Sequence, residues 1–280
     1  MNTKTLLIAL VVSILGANNA TAQINLGDRA LGALSNGIKG FTFSDEDATN
    51  IAREAIVKMD AENPVAGPKD PYTTRLNKVF GRHANENGLV LNFKVYKVKD
   101  INAFACADGS VRVFSGLMDI MDDNELLAVI GHEIGHVANK DSRDAMKAAY
   151  KKAALIDAVS SQSSKVAVLT DSQLGQLGSA MLDSRHTRNQ ESDADTFSYD
   201  FMKKYGYDVN AVESAFNILA KMSSGAEADF LSKMMASHPD ASDRAATAKS
   251  RAEADGLYKP YVKQTKGTKK ATTKKVVKKK

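Results

Sequence analysis

The sequence predicts an α+β fold that is mainly helical, with a small β-sheet. Two observations favour this fold class: apolar residues recur at helical spacing along most of the chain, and they alternate as in strands between residues 91 and 114. Of the 280 residues, 43% are hydrophobic and 25% are charged, which excludes a disordered chain, a collagen-like fibre and a multispan membrane protein. The single cysteine excludes a disulfide framework and a Cys-rich zinc finger.

The first 22 residues have the pattern of a signal peptide. Lys4 precedes the apolar run Leu6–Leu15, which is too short to span a bilayer, and residues 20–22 (Ala-Thr-Ala) form an A-x-A cleavage site. We expect cleavage after Ala22 and export to the periplasm, with residues 23–43 as a flexible lead-in; an uncleaved anchor is the alternative. No cysteine lies near the cleavage site, so an N-terminal lipoprotein is not expected.

Two helices are predicted ahead of the strands. The acidic residues of Ser44–Asp47 suit the first turn of a helix, and apolar residues from 51 to 59 recur at helical spacing until Pro64 ends the run. A second helix is predicted to begin after Asp70-Pro71 and to stop near Gly88.

The region that follows predicts a small sheet. Apolar residues alternate from 91 to 98, and residues 102–107 and 111–114 have the pattern of two further strands. The sequence Asp108-Gly109-Ser110 between them is typical of a hairpin turn. We therefore expect three short strands directly before an apolar helix.

Helices are predicted for most of the remaining chain. The apolar helical run at 122–139 opens with acidic residues, which suit the positive end of the helix dipole. The Ser-, Gln- and Gly-rich stretch 160–180 is interpreted as a mobile loop or a weak helix. Further helices are predicted at 142–158, 186–205, 209–222, 227–236 and 241–255.

The positive charge is concentrated at the C-terminal end. Residues 258–280 contain 10 Lys and no acid, whereas residues 23–257 contain 27 basic and 33 acidic residues. We expect a mildly acidic folded domain at 44–257 and a disordered Lys-rich tail at 258–280. Such a tail suits contact with an anionic envelope surface, and no specific nucleic-acid binding is expected.

Residues 132–136, His-Glu-Ile-Gly-His, form an H-E-x-x-H motif within the apolar helix. At 3.6 residues per turn, His132 and His136 lie about 40° apart on one face, which suits two ligands of a tetrahedral zinc ion. Glu133 lies beside them, in position to accept a proton from an attacking water. A chance match with structurally satisfied histidines is the alternative.

A zinc site of this kind needs a third protein ligand. Asn139 and Ser142 stand where a metzincin motif requires Gly and His, so a third histidine at that spacing is absent. Glu191 is the best candidate ligand further along the chain. Asp195 follows four residues later on the same predicted helix and would accept the outer N–H of a ligating histidine. A solvated acidic helix face is the alternative interpretation of both carboxylates.

Several segments with distinctive motifs follow one another along residues 45–250: Asn102–Ala105, Gly116–Met118, Asp123–Ile130, His132–His136, Arg188–Asp195, Tyr205–Asp208, and His238-Pro239 with Arg244. The combination of H-E-x-x-H, E-x-x-x-D and a His-Pro…Arg element resembles the HtpX / CAAX-prenyl-protease family of zinc metallopeptidases, in its soluble periplasmic LoiP (YggG)-like branch. One departure is that residues 140–142, where many family members carry another His, contain none.

The resemblance implies a zincin-like metalloprotease domain with its sheet beside the H-E-x-x-H helix. It also implies one zinc ion (Zn2+) per chain. His132, His136 and Glu191 would be the zinc ligands, and Glu133 the general base.

The resemblance implies further roles outside the metal ligands. His238 matches the family histidine that stabilises the tetrahedral intermediate, and Arg244 matches the arginine that braces the site. Asn102 and Ala103 match the edge-strand segment that holds an extended substrate.

The predicted function is a periplasmic zinc endopeptidase that cleaves unfolded or loop segments of proteins in envelope protein quality control. A non-enzymatic chaperone or assembly factor is one alternative, which Glu133 disfavours because a binding module needs no general base. A zinc hydrolase of a non-peptide substrate is the other, which the neighbouring strand disfavours because an edge strand pairs with extended peptide backbone. Removal of residues 258–280 is expected to leave turnover of a short peptide nearly unchanged.

Three other residues have weaker interpretations. His83 and His186 fit no metal spacing and are interpreted as surface or helix-capping residues. Cys106 is interpreted as a small buried strand residue. The alternative for Cys106 is a latent state in which its thiolate caps the zinc ion.

Overall fold

One apolar helix forms the centre of the structure, with a small sheet on one side and further helices around it. The predicted signal peptide and lead-in lie outside the described residues, as does the tail beyond residue 264. The computed structural model describes residues 44–86, 88–157, 171–182, 185–223, 225 and 228–264.

The mainly helical α+β fold class is confirmed. No helix among the described residues is long and apolar enough to cross a membrane. The helices are α1 (Asp45–Glu62), α2 (Pro71–Phe80), α3 (Ser115–Ile120), α4 (Asp123–Ala138), α5 (Asp141–Asp157), α6 (Asp171–Leu182), α7 (Arg188–Lys204), α8 (Asn210–Ser223), α9 (Ala228–Ser237) and α10 (Ala241–Ala254). The strands are β1 (Asn85–Glu86), β2 (Leu89–Val90), β3 (Asn92–Tyr96), β4 (Ala103–Ala105) and β5 (Ser110–Phe114).

The three-stranded sheet has the order β3-β5-β4, so β4 is an edge strand. Strand β5 runs parallel to β3 and antiparallel to β4, with Ala103 opposite Val113. Gly109 has a positive φ of 83° in the β4–β5 turn, and Asp108 accepts a hydrogen bond from the backbone of Ser110. The predicted hairpin is therefore present, and it presents the free edge of β4 beside α4.

Helix α4 carries the H-E-x-x-H motif and is buried from Glu125 to Val137. Its start is fixed by a capping box: the Asp122 side chain accepts the backbone N–H of Glu125, and the Glu125 side chain accepts the backbone N–H of Asp122. It packs closely on α7 because two positions of contact are glycines. A Cβ on Gly135 would lie 2.9 Å from the Cα of Ala194 and 3.1 Å from the Cβ of Phe197, so any larger residue would push the helices apart.

Residues 257–264, which we call the C-terminal strap, return across α8 to the start of α4. The Tyr261 hydroxyl donates to the Asp122 carboxylate at 2.7 Å, and the backbone N–H of Gln264 donates to the same carboxylate at 2.6 Å. Lys263 Nζ lies 3.2 Å from Glu125 Oε2. The ordered contacts thus extend beyond the predicted domain end at 257.

Other elements also differ from the sequence prediction, which did not include helix α3. Helix α2 ends at Phe80 rather than near Gly88, because the chain enters a 3₁₀ helix (Gly81–His83) and then the β1–β2 hairpin. Within the stretch 160–180, residues from 171 onward belong to α6, which packs on α1 and α5. Residues 158–170 lie outside the described part of the chain.

Candidate active site

Helix α4 presents the motif side chains to one buried position. His132, Glu133 and His136 are each no more than 3% exposed. The Nε2 atoms of the two histidines face each other at 3.0 Å. This arrangement follows from their separation by one helical turn on the face of α4 that meets α7.

Helix α7 brings two carboxylates to these histidines. Glu191 Oε1 lies 3.4 Å from His136 Nε2, and Glu191 Oε2 lies 3.6 Å from His132 Nε2. One turn later on α7, Asp195 Oδ1 lies 2.8 Å from His132 Nδ1. The structure therefore brings together the two histidines and both carboxylates that the sequence singled out.

The turn between α9 and α10 delivers His238 to the same position. Asp240 adopts a left-handed φ of 63° there, a conformation that non-glycine residues rarely hold and that occurs preferentially at functional sites. His238 Nδ1 lies 2.9 Å from Glu191 Oε1, and its Nε2 lies 3.7 Å from Glu133 Oε1. The His238 imidazole thus faces both Glu191, the expected ligand, and Glu133, the expected base.

Arg244 on α10 connects the two carboxylates of α7. Its Nε and Nη2 donate to the two oxygens of Asp195 at 2.9 and 2.6 Å. Its Nη1 lies 2.7 Å from Glu191 Oε2. A planar guanidinium held in this fork fixes the orientation of both carboxylates.

The sequence interpretation missed Asp141, the first residue of α5. Asp141 Oδ2 lies 2.9 Å from His136 Nδ1, and Gln190 donates to its other oxygen at 3.0 Å. Asp141 and Asp195 therefore each face the Nδ1 of one motif histidine, which leaves both Nε2 lone pairs directed at the common centre. The available signal was an acid directly after the motif helix, five residues beyond His136.

Burial and charge shift the pKa values of these groups. Burial raises the pKa of Glu133, and burial together with the Arg244 charge lowers the pKa of His132. Burial alone would also lower the pKa of His136, but hydrogen bonds to Asp141 and Glu191 raise it to about 9. Burial alone would raise the pKa of Glu191, yet the hydrogen bonds from His136 and His238 hold it far below its ordinary value.

The donor set fits a divalent metal ion. The ligand-type atoms of His132, His136, Glu191 and His238 all lie within 4.8 Å of one another. The two Nε2 atoms lie 3.0 Å apart, which is close to the separation of about 3.3 Å between adjacent donor atoms of a tetrahedral zinc ion with bonds of about 2.0–2.1 Å. In the part of the chain that the structure describes, Glu133 Oε1 and Glu191 Oε2 are buried without a well-directed hydrogen bond, which is typical of groups that bind a metal or a substrate.

A cleft beside this position is lined by the edge strand. Asn102, Ala103 and the rest of β4 form one wall, and Glu133, His136 and His238 form the floor. The sequence-predicted substrate segment and the motif residues therefore share one cleft.

His186 also lines the cleft, so its interpretation as a surface or capping residue is wrong. Its ring stacks on that of His136 with centroids 3.8 Å apart, and burial together with the neighbouring histidines lowers its pKa to about 3. Its backbone N–H donates to the Ser237 carbonyl at 3.2 Å, a long-range contact that has no sequence signal.

His83 and Cys106 are not part of the cluster of His132, His136, Glu191 and His238. His83 is 1% exposed among aromatic rings and bonds to the Tyr207 hydroxyl at 2.8 Å, so its interpretation as a surface residue is also wrong. Cys106 is fully buried, as predicted, but it lies directly after β4 rather than within a strand, and burial raises its pKa well above the usual value. Among the described residues, Cys106 is absent from both groups of metal-ligand side chains, the one above and a second group of His136, Asp141 and His186, so the structure gives no support to a thiolate cap.

Comparison with known proteins agrees with this geometry. The family model described as "Peptidase family M48" matches residues 72–252. Metalloprotease YcaL of Escherichia coli (strain K12) is 40% identical over 87% of this chain and 95% of its own length, and Metalloprotease LoiP of the same organism is 37% identical over 89% and 98%. A putative beta-barrel assembly-enhancing protease of Vibrio cholerae serotype O1 is 28% identical over 65% of this chain and 38% of its own length. The resemblance drawn from the motifs is confirmed: the chain belongs to peptidase family M48 and is a metalloendopeptidase.

Proposed function

We propose that the protein is a zinc-dependent endopeptidase of the periplasm that cleaves unfolded or loop segments of other proteins. The observation that carries this proposal is the shared cleft, in which a free strand edge lies beside Glu133, His136 and His238. An edge strand binds peptide backbone in extended form, which folded domains rarely offer. A non-peptide substrate would gain nothing from that edge.

His132, His136 and Glu191 are the proposed protein ligands of one zinc ion. Their donor atoms are separated by 3.0 to 3.6 Å, and three protein ligands leave the open position that catalytic zinc sites require. Asp195 and Asp141 accept the outer N–H groups of the two histidines and hold the Nε2 atoms in place.

The side chains around the zinc site have separate roles in peptide hydrolysis. A zinc ion bound there would supply Lewis acidity toward the scissile carbonyl and toward water. Glu133 accepts a proton from the attacking water at its unpaired Oε1 and passes it to the leaving amine, and its raised pKa suits both steps. His238 donates a hydrogen bond to the developing oxyanion, and Arg244 keeps Glu191 and Asp195 aligned.

The cellular role is proposed from the chain ends and from the relatives. The signal-peptide pattern of residues 1–22 supports export to the periplasm, and the name of the Vibrio cholerae relative supports a role in envelope protein quality control. The Lys-rich tail supports contact with an anionic envelope surface. We expect a chain that ends at Gln264 to lose salt-sensitive binding to anionic lipid vesicles.

A pair of variants tests the assignment of the two glutamates. Glu133→Gln keeps the side-chain size and removes its basicity, so zinc content should stay near one equivalent while turnover falls by several orders of magnitude. Glu191→Ala leaves two protein ligands and should lose both zinc and activity, with excess zinc restoring activity in part. Zinc content by elemental analysis and cleavage of denatured against native protein are the measurements.

The matched control is Asp193→Ala, an exposed acid on the same helix. It should keep both zinc and activity. Full zinc and activity in Glu191→Ala would show that the third ligand is misassigned, and Asp195 would be tested next. Equal cleavage of native and denatured protein would refute the proposed substrate class.

A further inference from the structure

The edge of strand β4 directs a small, defined set of backbone groups toward the cleft. Phe114 donates its N–H to Asn102 O, and Cys106 donates its N–H to Ser110 O, so residues 102, 104 and 106 are the ones that bond to β5. By the alternation of an antiparallel ladder, the N–H and C=O groups of Ala103 and Ala105 point away from β5. Four backbone groups therefore form the edge on which an extended peptide would lie.

Two of these four groups already have partners. The Asn102 side chain accepts the N–H of Ala103 at 2.9 Å, and the Ser142 hydroxyl donates to Ala105 O at 2.9 Å. Upstream, the N–H of Ile101 bonds to Phe230 O on α9. Within the described chain, this leaves Ala103 O and the N–H of Ala105 as the open pair.

The position of Ser142 is tied to the metal site. Helices α4 and α5 are joined by only two residues, and the second of them, Lys140, has a left-handed φ of 68°. This sharp turn directs Asp141 to His136 and its neighbour Ser142 to β4. A non-glycine residue in this conformation costs free energy, which indicates that the turn is held by these contacts.

We propose that Ser142 determines specificity by closing the docking edge, so that a substrate makes one N–H contact and one C=O contact with β4. The inference rests on the proposed peptidase function and adds the extent of substrate recognition at that site. Removal of the Ser142 hydroxyl opens Ala105 O as a second acceptor. In either strand direction, the substrate N–H that reaches Ala105 O lies two residues away from the one that bonds to Ala103 O.

Peptide binding with single N-methyl substitutions tests this proposal. The probe is a fluorescein-labelled decapeptide from a cleavage site in denatured casein, and the protein carries Glu133→Gln so that the peptide is not consumed. Adding Ser142→Ala should tighten Kd about three- to tenfold, the worth of one added hydrogen bond. N-methylation of the peptide residue whose N–H bonds to Ala103 O should weaken binding to both proteins. N-methylation of the peptide residue two positions away, whose N–H reaches Ala105 O, should weaken binding only to the protein that carries Ser142→Ala.

Two control variants isolate the hydroxyl. Ser142→Thr keeps the donor and should bind like the parent. Ser232→Ala makes the same chemical change on α9, where the hydroxyl donates to its own helix, and should leave Kd unchanged. Unchanged affinity and an identical N-methyl profile in Ser142→Ala would overturn the inference while leaving peptidase function intact. Failure of the Glu133→Gln protein to bind the peptide, together with failure of the wild-type protein to cleave it, would overturn both.

Discussion

Single side chains in this protein have distinct tasks because their partners differ. His132 and His136 each have one nitrogen held by an aspartate and the other directed at the metal position. His238 lacks such an aspartate among its described contacts and lies between Glu191 and Glu133 instead. The same imidazole group is therefore expected to act as ligand in two cases and as oxyanion donor in the third.

His238→Ala separates these roles. If His238 donates to the oxyanion, zinc content should stay near one equivalent, kcat should fall about 10²- to 10³-fold, and KM should change little. The measurements are elemental analysis and steady-state kinetics. Loss of zinc would instead show a closed site of four protein ligands, which is the geometry of structural rather than catalytic zinc.

His83 provides a pH-dependent term in stability that is independent of the active site. Burial, with a contribution from the Arg82 charge, lowers its pKa below the ordinary value. As pH falls through about 6.5, the unfolded chain gains a proton that folded His83 does not, so the free energy of unfolding falls by up to about 1.4 kcal/mol per pH unit. His83→Gln should lose less stability than wild type between pH about 7.5 and about 5.5 in urea unfolding; equal losses would contradict this assignment.

At the level of elements, the site depends on the distance between α4 and α7. Gly135 lies within the motif itself, and a Cβ there would meet the α7 backbone. The glycine thus sets the distance between α4 and α7, and with it the distance between Glu191 and the two histidines. A site assembled from two helices is sensitive to their separation even where no ligand is altered.

Gly135→Ala should therefore reduce zinc affinity as well as stability. We expect the free energy of unfolding to fall by about 1–3 kcal/mol, because the overlap is with backbone atoms that move only with the whole helix. Gly175→Ala in α6 is the control, since no atom lies within 4 Å of its added Cβ, and it should raise stability by about 0.5–1 kcal/mol. Calorimetry and zinc titration measure both effects; unchanged zinc affinity in Gly135→Ala would show that α7 adapts.

The local patterns were sufficient to predict much of this site, and the long-range contacts were not. The H-E-x-x-H spacing places two histidines on one face by helix geometry alone, and the Glu191–Asp195 spacing does the same for the carboxylates. By contrast, Asp141 and His186 reach the site through a tight turn and a backbone contact to α9. Neither arrangement has a periodic signal in sequence, so both required the folded chain.

On the scale of the whole molecule, the C-terminal strap connects the last described residues to the first turn of α4. Tyr261, Lys263 and Gln264 all bond at or beside Asp122 and Glu125. The expectation that residues 258–280 are dispensable for turnover should therefore be applied only to the residues after Gln264. Residues up to 264 contact the active-site helix, whereas the rest of the Lys-rich tail lies outside the described residues.

Two truncations test this division. A chain ending at Gln264 should keep the Tm and short-peptide turnover of the full protein. A chain ending at Leu257 should lose about 1–3 kcal/mol of stability and part of its turnover, because the capping carboxylates lose their partners. Tyr261→Phe, which removes one hydroxyl, should have a smaller effect of the same sign; equal behaviour of both truncations would show that the strap does not support α4.

The long sequence separation of the strap contacts also sets an order of events during synthesis. The hydrogen bonds from Tyr261 and Gln264 to Asp122 span 139 and 142 residues of sequence. A chain still emerging from the ribosome therefore carries the H-E-x-x-H segment before it carries Glu191, Arg244 or the strap. The active site is therefore complete only after almost the whole chain has been synthesised. An unfinished chain is itself an unfolded polypeptide, and its N-terminal part does not yet form an active site that could cleave it.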